Sequence, residues 1–329
     1  MRRKFDFFIL LITGYWLLVT VLTGCGPTYP REKFEESVIK VCKKDYKIDV
    51  KVEAIGKTIA IYLPLSKLID FNFAITKSAG EKINDVILSV SRVALSSDAE
   101  FDFYVIIAHD VAVPEIQIVI IKSVDDVKRF LLNDISRGEY SKRMLIDIRM
   151  SPQAQKERSI KEIFERMDLD ESSREQILND FFRAEPAALG DIGYWNDRFY
   201  IKEVSNLEFV AAQIAGRVKT NFRDDKNISG LFMLKAVKCQ YMAKDSRDYF
   251  RLEITADPKS LGQAKGTDYH GKIFGEGIAA SAVVIHNYHF NDFEYVEIVD
   301  VVDGKSIEVT RDDLEKFRRK RLKLEDILK

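Results

Sequence analysis

Four histidines, His109, His270, His286 and His289, are the side chains of this 329-residue chain best suited to proton transfer or metal ligation. A metal needs several Cys, His, Asp or Glu ligands converging on one point, and acyl transfer needs a nucleophile beside its base. His286 and His289 stand three apart and could share a helix face, but Asn287 and Asp292 supplement them poorly. They are read as capping or lining a helix end, where a partial negative charge favours an imidazole. Gly275, Gly277 and Ala280 match a dinucleotide fingerprint. That fingerprint requires a long buried strand before it, and Lys272 to Phe274 is too short. Neither a nucleophile elbow, a phosphate loop nor a zinc-protease pair occurs. Asp168, Asp170 and Glu171 lack the glycine turn and closing glutamate of a calcium loop, and helix capping at Asp170 explains them better. The expectation is no catalytic residue, no cofactor and no metal.

Two loops remain as candidate binding surfaces. Residues 257–277 hold several glycines, Pro258, Tyr269 and His270, and a loop that long in a compact domain is functional or disordered. Residues 190–199 place Tyr194 and Trp195 beside Asn196, Asp197 and Arg198. Aromatic and arginine side chains anchor interfaces and stack on sugars, whereas a tryptophan at a module entry more often packs inward.

The elements that must position these residues follow from periodicity. Residues 31–45 read as a helix with Phe34, Val38 and Cys42 on one face. Ile48, Val50 and Val52 alternate, as do Ile59, Ile61 and Leu63 after Gly56, which predicts a hairpin. Ser78 with Glu81 forms a capping box before Ile83, Val86, Ile87 and Val90. Strands 101–107 and 116–121 follow, and Ser123 with Asp126 caps a helix through Leu132. The second half repeats this order: a helix capped by Ser205 and Glu208, strands near 230–241 and 248–256, a helix at 276–288, strands near 293–302 and 305–309, and a helix capped by Thr310 and Asp313. The sharpest local match sets residues 123–130 against 310–317. The reading is an α+β chain of two similar modules, each an antiparallel sheet with helices on one face. They span 31–150 and 191–329, and a helical linker at 151–190 joins them. Within that linker, 153–184 reads as two polar helices with narrow apolar stripes.

Residues 1–25 begin with Arg2, Arg3 and Lys4, continue through an apolar run from Phe7 to Leu22, and end in Leu22, Thr23, Gly24 and Cys25. This pattern resembles the signal sequence and lipobox of a bacterial lipoprotein precursor. The resemblance covers those residues alone. It implies that 1–24 is a signal peptide, that Cys25 carries the lipid, and that 25–30 is a tether holding the first module close to a membrane. It further implies a cell-envelope address, and Gly26 after the cysteine favours an outer membrane facing the periplasm in a Gram-negative host. Removing the leader takes away three basic residues and one acidic one, leaving a charge near −3 and no footprint for nucleic acid. The remaining cysteines, Cys42 and Cys239, are read as separate buried thiols in preference to a disulfide. The basic run from Lys316 to Lys323 is read as a solvated helix end before a contact with anionic headgroups.

The function expected from all this is a non-enzymatic binding or scaffold component of the envelope with a protein partner. An extracytoplasmic ligand-binding lipoprotein is the alternative, and a wall-polymer hydrolase the third. The hydrolase requires His109 or His270 to meet acidic residues in a cleft.

Overall fold

A computed structural model describes residues 28–70, 75–113, 115–150, 192–244, 247–259 and 269–328. The leader with Leu22, Thr23, Gly24 and Cys25, the acidic cluster at 168–171 and the linker helices at 153–184 lie outside the described residues.

The chain is α+β. In the first module a short 3-10 turn leads into α1 (Phe34–Val41), followed by the hairpin β1 (Lys51–Ile55) and β2 (Thr58–Leu65). Helix α2 (Lys77–Leu95) crosses to β3 (Phe103–Asp110), which pairs with β4 (Ile116–Ser123) before α3 (Val124–Leu131) and α4 (Arg137–Lys142). A fifth strand, β5 (Leu145–Met150), extends the sheet beyond β4, and a small hairpin, β6 (Gly193–Trp195) with β7 (Arg198–Tyr200), enters the second module. There α5 (Asn206–Asp224) and the short α6 (Lys226–Ser229) precede β8 (Phe232–Lys244) and β9 (Arg247–Pro258). Helix α7 (Tyr269–Asn287) crosses to β10 (Tyr295–Asp300) and β11 (Lys305–Thr310), and α8 (Arg311–Arg318) and α9 (Leu324–Ile327) follow.

The two halves share one topology. The sheets run β1-β2-β3-β4-β5 and β8-β9-β10-β11. In both, the first and third pairings are antiparallel, and the middle one, β2 with β3 or β9 with β10, is parallel. The expected antiparallel sheet therefore holds except at that pair, where a helix connects the strands and the chain re-enters the sheet in the same direction. Both crossover helices are 19 residues long. Ser123 and Thr310 occupy one register position, opposite Phe103 and Tyr295. The helices that follow both end in a left-handed residue, Asn133 at φ 59° and Lys320 at φ 59°.

Two boundaries move. The cap of α2 is Thr76, whose hydroxyl accepts the N–H of Ala79 at 3.2 Å, and not Ser78; Glu81 lies 4.0 Å from Lys77 instead. Helix α7 begins at Tyr269, well before residue 276. Its glycines weigh against a helix by propensity, but packing prevails, since a Cβ on Gly277 would stand 2.9 Å from Ile298 and 3.2 Å from Leu252. The glycine pattern thus lets α7 approach its sheet from inside a helix. Cys42 and Cys239 are free and buried, each pushed above the ordinary thiol range by desolvation.

Helix α5 decides the packing. Val210, Ile214 and Val218 face the second sheet, while Phe209 and Ala212 face the first. The first sheet is accordingly buried on both sides, by α1 and α2 on one and by α5 with residues 192–204 on the other. Among the described residues, the second sheet is covered by α5 and α7 on one side only. No helix among the described residues is long and apolar enough to cross a membrane.

Candidate functional site

The largest gathering of metal-ligating side chains among the described residues lies where α7 starts and β10 ends. Tyr269 and His270 stand in the first turn of α7, not in a loop. Asp300 closes β10, and Asp303 lies in the turn to β11. His270 Nδ1 is 3.0 Å from Asp300 Oδ2, and Nε2 is 3.3 Å from Asp303 Oδ2. One ligand atom from each of the three lies within 4.8 Å of the others. Asp300 is wholly buried, His270 is 25% exposed and Asp303 47% exposed, so the site runs from the core to solvent. Oδ1 of Asp300 accepts the N–H of Val302 at 3.1 Å, which fixes the carboxylate to its own turn. The Phe274 ring stacks beneath the imidazole at 6.3 Å. Tyr269 donates its hydroxyl to the carbonyl of Ala256. Desolvation pushes that phenol up to about 12, helped by the negative charge of Asp300, Asp303 and Asp257. It therefore acts as a neutral donor. The donor set of one imidazole and two carboxylates suits a divalent cation of the zinc type.

His109 and Tyr194 meet at a second cluster. Tyr194 is buried, its ring stacked on Tyr62 at 4.0 Å. Lys51 reaches the Tyr194 hydroxyl at 2.6 Å and Asp197 at 2.8 Å. The amide of Gln117 accepts the N–H of Tyr194 at 2.9 Å and donates to its carbonyl at 2.5 Å, holding the β6–β7 hairpin on the sheet. His109 Nδ1 lies 2.5 Å from the Tyr62 hydroxyl, and burial lowers its basicity. Neighbouring Asp110 turns away, accepting the N–H groups of Leu68 and Ala112 at 2.9 Å each. His109 thus hydrogen-bonds a tyrosine, with the charges of Asp110 and Glu115 close enough to act on it. Trp195 is half-buried with its indole against Gly193. These contacts anchor a hairpin.

A third polar group lies in the seam between modules. Asp126 and Arg143 are 1% and 2% exposed and 2.8 Å apart. Arg143 also meets Glu139 at 2.9 Å, Glu139 meets Arg217 of α5 at 2.9 Å, and Tyr288 donates to Asp126 at 2.8 Å. The group joins α3 and α4 of the first module to α5 and α7 of the second. It is a lock whose centre, Asp126 with Arg143, is closed to solvent.

The remaining candidates are placed simply. His286 and His289 lie at the end of α7 with ring centroids 5.9 Å apart, and burial followed by the charge of Arg318 lowers His286. In the basic C-terminal run, Lys316 pairs with Asp312 at 2.5 Å, while Arg318 and Arg319 share Glu315 at 2.9 Å and 2.6 Å. Sequence reasoning finds His270 and Tyr269 but misses Asp300 and Asp303. Asp300 falls inside the expected strand 293–302 and Asp303 in the turn after it, and the only signal is their position just after the alternating run Val296, Ile298. Comparison with protein-family models, with curated proteins and with solved structures returned no match.

Proposed function

We propose that this chain is a lipid-anchored envelope protein that works by binding, as a scaffold for another envelope component, with Cys25 as its point of lipid attachment. The observation that carries this reading is the outer face of the second sheet. In the first module the corresponding face is covered by α5, whereas in the second no described element covers it, and Gln240 and Met242 are exposed on β8. Its centre is polar: Arg251 joins Glu253 at 2.8 Å and Glu297 at 2.7 Å, and Tyr249 stacks on Tyr295 at 4.7 Å. Exposed Gln240 and Met242 beside the half-exposed Arg251 on a rigid sheet supply the mixed polar and apolar surface that partners use. Photocrosslinkers at residues 240 and 242 are expected to capture the same envelope protein, and Arg251→Glu to abolish capture. Capture from residue 88 on α2 but not from 240 or 242 would refute this surface. The lipid is tested by incorporation of a labelled fatty acid, lost in Cys25→Ser.

A second reading, a ligand-binding lipoprotein, is favoured by the cluster of His270, Asp300 and Asp303. Hydrogen exchange at residues 269–277 is expected to slow when a small-molecule fraction of envelope extract is added. Unchanged exchange would count against it.

A further inference from the structure

We propose that His270 and Asp303 bind a divalent transition-metal ion of the zinc type, with Asp300 orienting the imidazole; this deepens the ligand-binding reading and rests on it. Asp300 is completely buried and its Oδ2 lies 3.0 Å from His270 Nδ1, which holds the ring with Nε2 turned to Asp303 Oδ2 at 3.3 Å. One ligand atom from each of the three residues lies within 4.8 Å of the others. A positive charge is what joins Nε2 to that carboxylate, and a metal cation ligated by both atoms supplies it as a second ring proton would. A buried carboxylate on Nδ1 with Nε2 free for the metal is the outer-shell arrangement that metal-binding histidines use to fix tautomer and ring orientation.

The repeated fold supplies an independent comparison. Asp110 ends β3 as Asp300 ends β10, and its Oδ1 likewise accepts the N–H two residues on, from Ala112 at 2.9 Å. Its second oxygen accepts the backbone N–H of Leu68 at 2.9 Å, where Asp300 has an imidazole instead. An aspartate at the end of the third strand therefore serves the turn in both modules. The fold does not require a histidine beside it or a further carboxylate beyond the histidine. Those are what the second module adds. One nitrogen and carboxylate oxygens match zinc, nickel or copper better than calcium or magnesium, which prefer shells of oxygen alone. The exposure of His270 and Asp303 leaves an entry path and open coordination positions for water or a ligand's own donor.

The test titrates the full chain, purified in detergent and stripped of metal, with zinc by calorimetry and with cobalt by visible absorption. The expected result is one zinc ion per chain and a cobalt spectrum with nitrogen and oxygen ligation. Loss of both is expected in His270→Gln and in the surface variant Asp303→Asn, with circular dichroism reporting that each is folded. Asp300→Asn should weaken zinc binding about 10–100-fold while keeping a cobalt spectrum, and His289→Ala should change nothing. A wild-type chain that binds no zinc, or zinc binding that survives both His270→Gln and Asp303→Asn, overturns the proposal. Hydrogen exchange with the envelope fraction in the presence of a chelator separates the two readings. Slowed exchange at 269–277 without zinc binding removes the metal alone, and absence of both effects removes the ligand-binding reading as well.

Discussion

The two modules have the same topology and opposite surroundings. In the first, β4 is buried at every position, and its sequence, Ile116 to Ser123, shows no alternation beyond Gln117 and Lys122. In the second, β9 alternates, with Phe250, Leu252, Ile254 and Ala256 buried between half-exposed Arg251, Glu253 and Thr255. A strand covered on both faces reads as a continuous apolar run, and one covered on a single face alternates. The same connection order thus builds a central sheet in one half and an outer sheet in the other, because α5 belongs to both cores. What surrounds a repeated element, more than its order, determines what its residues do.

Asp126 and Asp313 give the sharpest contrast, since both stand three residues after the cap of an equivalent helix. Asp313 completes the cap of its own helix. Its N–H donates to Thr310 at 3.1 Å, and its carboxylate accepts the threonine hydroxyl at 2.7 Å. Asp126 does not. Ser123 takes the N–H of Asp125 instead, at 3.2 Å, and the Asp126 carboxylate is buried against Arg143 and Tyr288. Asp126→Ala is therefore expected to cost about 3–5 kcal/mol in urea unfolding, because it leaves a buried guanidinium short of its partner. Asp313→Ala should cost about 1 kcal/mol. Equal costs would break the comparison.

Phe209 tests the shared helix itself. It lies 4.8 Å from Phe103 and 5.4 Å from Tyr288, so Phe209→Ala is expected to lose about 3–4 kcal/mol. Met242→Ala, on the open face, should stay within about 0.5 kcal/mol. A large loss at Met242 in the isolated chain would mean that this face is covered after all.

Lys122 and Val309 occupy the same register position, opposite Tyr104 and Val296. Desolvation brings the fully buried Lys122 down to about 7. Between that value and its ordinary 10.5 the unfolded chain holds the extra proton, so stability rises as pH rises through this window. Lys122→Val, which installs the second module's residue, is expected to stabilise the chain at neutral pH and to flatten that slope, even though the carbonyl of Tyr140 loses its donor at 3.1 Å. Denaturant midpoints at neutral pH and about pH 9 check the sign. An unchanged slope would place the pH dependence elsewhere.

Glu139 gives the smallest effect. Burial alone would raise its carboxyl, but hydrogen bonds from Arg217 and Arg143 outweigh it and hold the group below the ordinary 4.5. Its contribution is present above that value and is lost as pH falls through the lower folded one. Glu139→Gln should soften the acid limb of urea unfolding. An acid limb identical to wild type would remove Glu139 from the lock.

Much of the fold is legible in local patterns. The hairpin at 51–65 follows from alternating Ile59, Ile61 and Leu63 around Gly56, whose φ of 58° the turn requires. The caps at Ser123, Ser205 and Thr310 are equally plain, because a hydroxyl and an N–H two or three residues apart meet whatever surrounds them. The start of α7 is not legible, since three glycines in its first half weaken the local signal and only contact with Ile298 and Leu252 restores the helix. The second face of α5 is hidden as well. Its main stripe, Val210, Ile214 and Val218, looks complete without Phe209. Of the candidate site, His270 and Tyr269 stand out by residue type, whereas Asp300 looks like the end of a strand and Asp303 like an ordinary turn residue until the fold sets them beside the imidazole.

By itself the sequence determined the α+β class, the repeated element order and the match between residues 123–130 and 310–317. Those depend on interactions within a few residues, where periodicity and capping rules act. Tertiary structure alone decided that α5 is shared, that Asp126 leaves its cap for Arg143, and that His270 stands between Asp300 and Asp303. These partners are 17 and 30 or more residues apart, and closing such loops is governed by how apolar faces pack, which no local pattern encodes.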